Sequence, residues 1–172
     1  MTQYNLSPSL IARYYYFGCD RHLRYNASPV EERTRIHIPE SKFQQSLALA
    51  AILQSGFEWE EEVITNRITG KIHIADRDGP LHKRTHTLDE TLSILKTMKP
   101  GEYLYQPTIV MPQSLIKELG IDTEKFAFPP CRPDLLFMAE IDGKPTLQVI
   151  DVKASDALKQ SHQIQIALYA LI

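Results

Sequence analysis

The chain has 172 residues, is 43% hydrophobic, and carries 19 basic against 21 acidic side chains for a formal net charge of −2. That is enough chain for a single domain with a sizeable core, and its lack of any run of 18 apolar residues excludes a helical membrane span. The opening MTQYNLSPSL has neither the basic nor the apolar stretch of a secretory leader, and Cys19 and Cys131 lie too far apart to read as a disulfide scaffold, so a cytoplasmic protein is expected.

In LSPSLIARYYYF, Ser7 reads as a helix N-cap with Pro8 at the first helical position. Arg13, Arg21, Arg24, Arg33 and Arg35 gather in this N-terminal stretch, either as a local basic patch or as a solvated surface. Residues 41–55 read as a strongly apolar helix punctuated by Gly56, and EWEEEVITNR as a second helical stretch. Residues 66–82, rich in glycine and charge, are expected to form a hairpin. THTLDETLSILKTMK reads as a helix opening at Thr87 and closed by Pro100-Gly101. EYLYQPTIVM follows as a strand, and residues 112–131 as an irregular insertion with a short helix around Ser114–Leu119. RPDLLFMAEI and TLQVIDVKA are two more strands, joined by Asp142-Gly143, a strong short hairpin signal. A last helix begins near Asp156. The order is helices, three strands, helix.

The hairpin has a chemical consequence. A two-residue turn at Asp142-Gly143 sets Ile141 opposite Lys144. Carried back along both strands, that pairing sets Asp134 opposite Asp151 on one face, with Cβ atoms about 4.5–5.5 Å apart. Like charges so opposed are destabilising, and a divalent cation between them reverses the cost. Lys153, two residues beyond Asp151, shares that face with Leu147 and Val149, while Ile150 and Val152 take the other. A strand apolar on both faces is expected to be central and covered. Charged groups there are costly unless paired or bound to metal. The competing reading is an edge hairpin with Asp151 and Lys153 as a surface pair.

Upstream, Trp59, Val63 and Ile64 define an apolar helical arc of about 140° at 100° per residue. Glu60 falls inside that arc and Glu58, Glu61 and Glu62 outside it. Glu60 is thus either aimed at the interior or capping the edge of the core with its stem. In the last helix, His162, Gln165 and Tyr169 share a face, beside a core stripe of Ala157, Ile164, Leu168 and Leu171.

Arg132-Pro133-Asp134, a hairpin, Asp151-Val152-Lys153 and then Gln165 and Tyr169 four residues apart resemble the PD-(D/E)XK nuclease pattern, in the form found in RecB-type exonucleases. Gly56 followed by Glu60 matches the family's upstream glycine and acidic residue. The opening Leu6-Ser7-Pro8-Ser9, with Tyr14, Cys19 and Arg21, looks like the start of CRISPR-associated and helicase-linked members. The resemblance covers almost the whole chain. It implies an α/β, restriction-endonuclease-like core with a central mixed sheet flanked by helices. It also implies that a further strand follows the last helix, so a longer protein is expected, one fused to or associated with a helicase.

The resemblance implies a catalytic set of Glu60, Asp134, Asp151, Lys153, Gln165 and Tyr169. Metal ligation falls to Glu60, Asp134, Asp151 and the Val152 carbonyl, and DNA contacts to Arg21, Arg132 and His162. Oxygen ligands suit Mg²⁺ or Mn²⁺. Related members hold an iron–sulfur (4Fe–4S) cluster through one early cysteine and three late ones. The late three are absent here, so no cluster is expected, and Cys19 is an orphan ligand or a buried thiol. The implied activity is metal-dependent DNA cleavage, exonucleolytic, in repair, recombination or phage and CRISPR defence. The alternatives are an inactive DNA-binding or interaction module of the same fold, and another metal-dependent phosphoryl-transfer enzyme. The last lacks any Gly-rich phosphate cradle in this chain.

Overall fold

The computed structural model describes residues 3–35, 47–155, 157 and 159–172. Among them the helices are α1 (Pro8–Phe17), α2 (Asp20–Ala27), α3 (Val30–Arg35), α4 (Leu47–Glu62), α5 (Leu88–Leu95), α6 (Gln113–Glu118) and α7 (Gln160–Leu171). A π-helical turn spans Val63–Arg67 and a 3₁₀ turn Leu81–Lys83. The strands are β1 (Tyr4–Asn5), β2 (Ile72–His73), β3 (Tyr103–Tyr105), β4 (Phe126–Ala127), β5 (Leu135–Ile141) and β6 (Lys144–Ile150). The protein is mixed α/β. It forms two compact units, one of Met1–Phe43, Val110–Cys131 and Leu158–Ile172, the other of Gln44–Ile109 and Arg132–Ala157. No described helix is long and apolar enough to cross a membrane.

In the first unit, Ser7 caps α1 as expected: its hydroxyl accepts from the Leu10 N–H at 3.2 Å, with Pro8 opening the helix. Gly18, at φ 58°, closes it in the left-handed conformation and donates its N–H to the Tyr14 carbonyl at 2.7 Å. Strand β1 pairs parallel with β4. α1 packs on α7, and Leu6, Ile11, Met111, Phe128, Leu168 and Ile172 line a small apolar cavity. The expected core stripe of α7 needs correction. Tyr169 is the helix's buried residue, while Leu171 is 62% exposed and Ala157 is exposed.

The second unit is built on a four-stranded mixed sheet in the order β2-β3-β5-β6. β2 runs parallel to β3, and the other pairs are antiparallel. The hairpin register is the one a two-residue turn requires, from Ile141 opposite Lys144 back to Leu135 opposite Ile150. Asp142 (φ 52°) and Gly143 (φ 71°) both lie at positive φ, the type I′ pattern that matches strand twist. The sheet carries a core on each face. On one, Ile64, Tyr105 and Leu135 bury together, with Ile68, Leu81, Ile150 and Val152 against them. On the other, Met98, Leu104 and Leu136 bury with Ile94, Leu95, Met138 and Val149.

Several local expectations change. Strand β6 lies at the end of the four-stranded sheet, not at its centre, with Leu147 43% exposed. Its apolar run reflects the two cores under its far end. α4 continues through Gly56 and ends in the π-helical turn, because a helix tolerates one glycine at a cost of about 1 kcal/mol; residues 41–46 of the expected helix lie outside the described residues. Residues 66–82 form no hairpin: Ile72–His73 pairs with the distant Tyr103–Leu104 instead. The strand expected over 102–111 stops at Tyr105, because Gln106 adopts φ 47° and Pro107 has no N–H to donate. α5 is capped by Thr87 in a full capping box with Glu90.

Gly143→Val places a β-branched residue at positive φ, a strain of about 1–2 kcal/mol. The melting temperature is expected to fall by several degrees, and an unchanged value would show that the turn does not hold the register.

Candidate active site

Beyond Leu135 and Ile150, the last ladder pair, the two strands deliver Asp134 and Asp151. Asp134 is held by backbone on two sides. Its carbonyl accepts from the Gln106 N–H at 2.9 Å, and its Oδ2 accepts from the Val152 N–H at 2.6 Å. Asp151 has a side chain only 2% exposed. Its Oδ1 accepts from the Lys153 Nζ at 2.6 Å, and its Oδ2 is buried with no hydrogen-bonding group of the described residues against it. The same ammonium stands 3.8 Å from Asp134 Oδ2. The two carboxylates therefore face one cation. The surface-pair reading fails on burial, although the strand is an edge.

Glu60 arrives from the opposite direction, on the last turn of α4. Ile64, one turn on, is 2% exposed and seats the helix end in the core. That places Glu60 against β3: its Oε1 accepts from the Tyr105 hydroxyl at 2.7 Å and from Gln106 Nε2 at 3.0 Å. Its neighbours go elsewhere. Glu58 bonds Gln54, Glu62 bonds Asn66 and Arg67, and Glu61 is exposed. Gln106 thus spans the site, with its backbone on Asp134 and its side chain on Glu60.

Three acids and one lysine in a partly dry setting shift the equilibria. Burial, with the Asp151 and Glu60 charges adding to it, pushes the Asp134 carboxyl up to about 7, against the opposing pull of Lys153 and the Val152 N–H. Burial, then the bond to Glu60, holds the Tyr105 phenol well above its usual range, so it stays a hydrogen-bond donor. Among the described residues no three His, Cys, Asp or Glu side chains are gathered tightly enough to grip a metal ion. The lysine ammonium sits where the carboxylates' charge converges.

The remaining candidates fall in different places. Val152 donates its N–H to Asp134 and packs against the Ile64–Tyr105–Leu135 core. Arg132, exposed on the same unit, donates from Nε to the Thr108 hydroxyl at 3.3 Å. In the first unit, Gln165 donates to the Tyr169 hydroxyl at 3.0 Å along α7, with His162 half-buried on that helix. Arg21 is exposed on α2. Cys19 is exposed rather than buried, leading into α2 with no capping bond, and the buried thiol is Cys131, which burial pushes up to about 11. Tyr105 and Gln106 are site residues that sequence reasoning missed. Each looks like part of an ordinary strand, and the only local signal is the Gln106-Pro107 step that ends it.

A pH-dependent stability follows from Asp134. The unfolded chain releases this proton near pH 4, while the folded chain keeps it to about 7. The folded state binds more protons across that window, so this contribution is full below about pH 4 and is lost as pH rises through 7. Asp134→Asn is expected to flatten the fall in melting temperature between those values; identical slopes would refute the shift. Separately, Lys153→Met leaves the Asp151 carboxylate buried beside no cation and is expected to cost about 1–3 kcal/mol. Adding Asp151→Asn should restore most of that loss in a denaturant titration. No protein-family model, no curated protein and no solved structure matches this chain, so the site is read from its own chemistry.

Proposed function

We propose that the chain is a metal-dependent deoxyribonuclease with a restriction-endonuclease-like core of the PD-(D/E)XK type, similar to RecB-type exonucleases. The observation that carries this reading is the buried Asp151 Oδ2 left without a hydrogen-bond partner beside Asp134 and Lys153. A buried carboxylate oxygen with an open lone pair is costly as a structural element. It is well suited to coordinate a hard cation, and all-oxygen donors favour Mg²⁺ or Mn²⁺. The Asp134 carboxyl, raised by burial first and by the Asp151 and Glu60 charges after it, is a group whose ionised form a bound cation would favour.

In this reading Asp134 and Asp151 hold the ion, with Glu60 and the Val152 carbonyl completing its protein ligands. Such an ion supplies an activated water and draws charge from the scissile phosphate. The chain's own groups do the rest. Lys153 offers a protonated donor to the phosphate oxygen on which charge develops. Tyr105 and Gln106 fix the Glu60 carboxylate by two hydrogen bonds. Gln165, Tyr169 and His162 on α7, with Arg21 and Arg132, take DNA-contacting roles. The process served would be repair, recombination or defence against foreign DNA, with a helicase as partner.

One observation favours a second reading, an inactive DNA-binding module of the same fold: Lys153 already neutralises Asp151, and the described residues hold no ready three-ligand metal cage. The two readings separate on one substrate. With an end-labelled oligodeoxynucleotide and Mg²⁺ or Mn²⁺, cleavage is expected, and Asp151→Ala should lower it by at least 10²–10³-fold with the circular dichroism spectrum unchanged. Equal cleavage by variant and unsubstituted chain would remove the assignment. Absence of cleavage, with no calorimetric response to Mn²⁺ that Asp134→Ala abolishes, would establish the inactive module.

A further inference from the structure

Beside the carboxylates lies a feature their chemistry does not use. The ring of Phe57 stacks on the imidazole of His82, with centroids 3.9 Å apart and planes 9° from parallel. Phe57 is three residues before Glu60 on α4, about 4.5 Å of helical rise away, and is 36% exposed. His82 belongs to the 3₁₀ turn Leu81–Lys83, which packs on α4. Its neighbours Lys83 and Arg84 make the run His-Lys-Arg.

The turn is anchored to the site through Leu81, which packs into the core of Ile64, Tyr105 and Leu135 with Ile150 and Val152. Each of those residues adjoins a site residue: Ile64 follows Glu60 by one turn, Tyr105 binds it, Leu135 follows Asp134, and Ile150 and Val152 flank Asp151. One core thus positions both the carboxylates and the stacked pair. The cations of the turn are not spent on acids. Among the described residues neither Lys83 nor Arg84 has a carboxylate within ion-pair distance, whereas Arg77 nearby is bound at 2.7 Å by Glu90. Arg84 is steadied by its Nε donating to the Gly79 carbonyl at 3.0 Å.

A part-exposed flat ring pair flanked by cations is suited to an unpaired base and its phosphates. Bases stack on aromatic faces whatever their identity, and Lys and Arg take up backbone charge. A base in a closed duplex has no free face to offer. We infer that Phe57, His82, Lys83 and Arg84 form a ledge that holds single-stranded DNA next to the carboxylate site. The assignment rests on the nuclease reading for its substrate class but concerns binding, which can be measured apart from cleavage.

The test is fluorescence anisotropy with a labelled 20-nucleotide single strand of mixed sequence, in EDTA, where no metal-dependent step runs. Phe57→Leu keeps apolar volume on α4 but removes the flat face, and should weaken binding about tenfold. Lys83→Gln should reduce the slope of log affinity against log salt by about 0.7 without changing the melting temperature, an effect that a merely structural role would not produce. If Phe57→Leu fails to fold, Lys83→Gln and Arg84→Gln still decide the matter. Unchanged affinity and salt slope in these variants would overturn the ledge, as would tighter binding of a blunt duplex that is indifferent to Phe57→Leu, or no binding by the unsubstituted chain. Binding lost in the variants, with no cleavage by the unsubstituted chain in Mg²⁺, would keep the ledge and discard the nuclease.

Discussion

Two carboxylates at the open end of a hairpin, sharing one ammonium, set the terms for the second unit. Asp151 is almost wholly out of water and Asp134 nearly so, with side-chain exposures of 2% and 17%. Charges so placed repel strongly and lose their hydration. The fold offsets this with the Lys153 ammonium at 2.6 Å and the Val152 N–H at 2.6 Å, each contributing more than a bond between neutral groups. The offset is incomplete. The Asp134 carboxyl stays high, and one oxygen of Asp151 stays unpaired. A buried carboxylate oxygen left in that state calls for a specific reason.

The surrounding structure holds that arrangement in place. The sheet has a core on each face, and both draw on the residues that adjoin the aspartates: Leu135, Ile150 and Val152 on one side, Leu136 and Val149 on the other. Neither strand can slip without exposing both cores, since a shift of one residue reverses every side chain. Glu60 is fixed differently. It rides on a helix end seated by Ile64 and is met by Tyr105 and Gln106 from β3. Gln106 adopts φ 47° to do this, a left-handed conformation that costs a non-glycine residue roughly 1–2 kcal/mol. In return its backbone and its side chain reach two acids at once.

Charge is distributed with similar economy. The net charge of −2 does not mark a polyanion binder. Several acids outside the site are already paired with cations. Glu102, bound by His73 and the Lys99 N–H, and Glu90, bound by Arg77, are both held down to about 2. Lys83 and Arg84 differ from these pairs in having, among the described residues, no carboxylate within ion-pair distance.

The sequence by itself determined the hairpin. Asp142-Gly143 is among the few pairs that accept positive φ at both turn positions, and that local fact sets the register and so the meeting of Asp134 with Asp151. It also determined the caps, Ser7 and Thr87, and the inward aim of Glu60, because cap chemistry and helical period act within a few residues. It misled where an element's fate depends on distant partners. β6 is apolar on both faces yet lies at the edge, and Ile72–His73 found β3 rather than a neighbour. Only the tertiary structure decided that Tyr105 and Gln106 hold Glu60, that Lys153 bridges the aspartates, and that Phe57 meets His82. These contacts join residues up to 46 apart in the chain, and their energy appears only once both cores have closed around them.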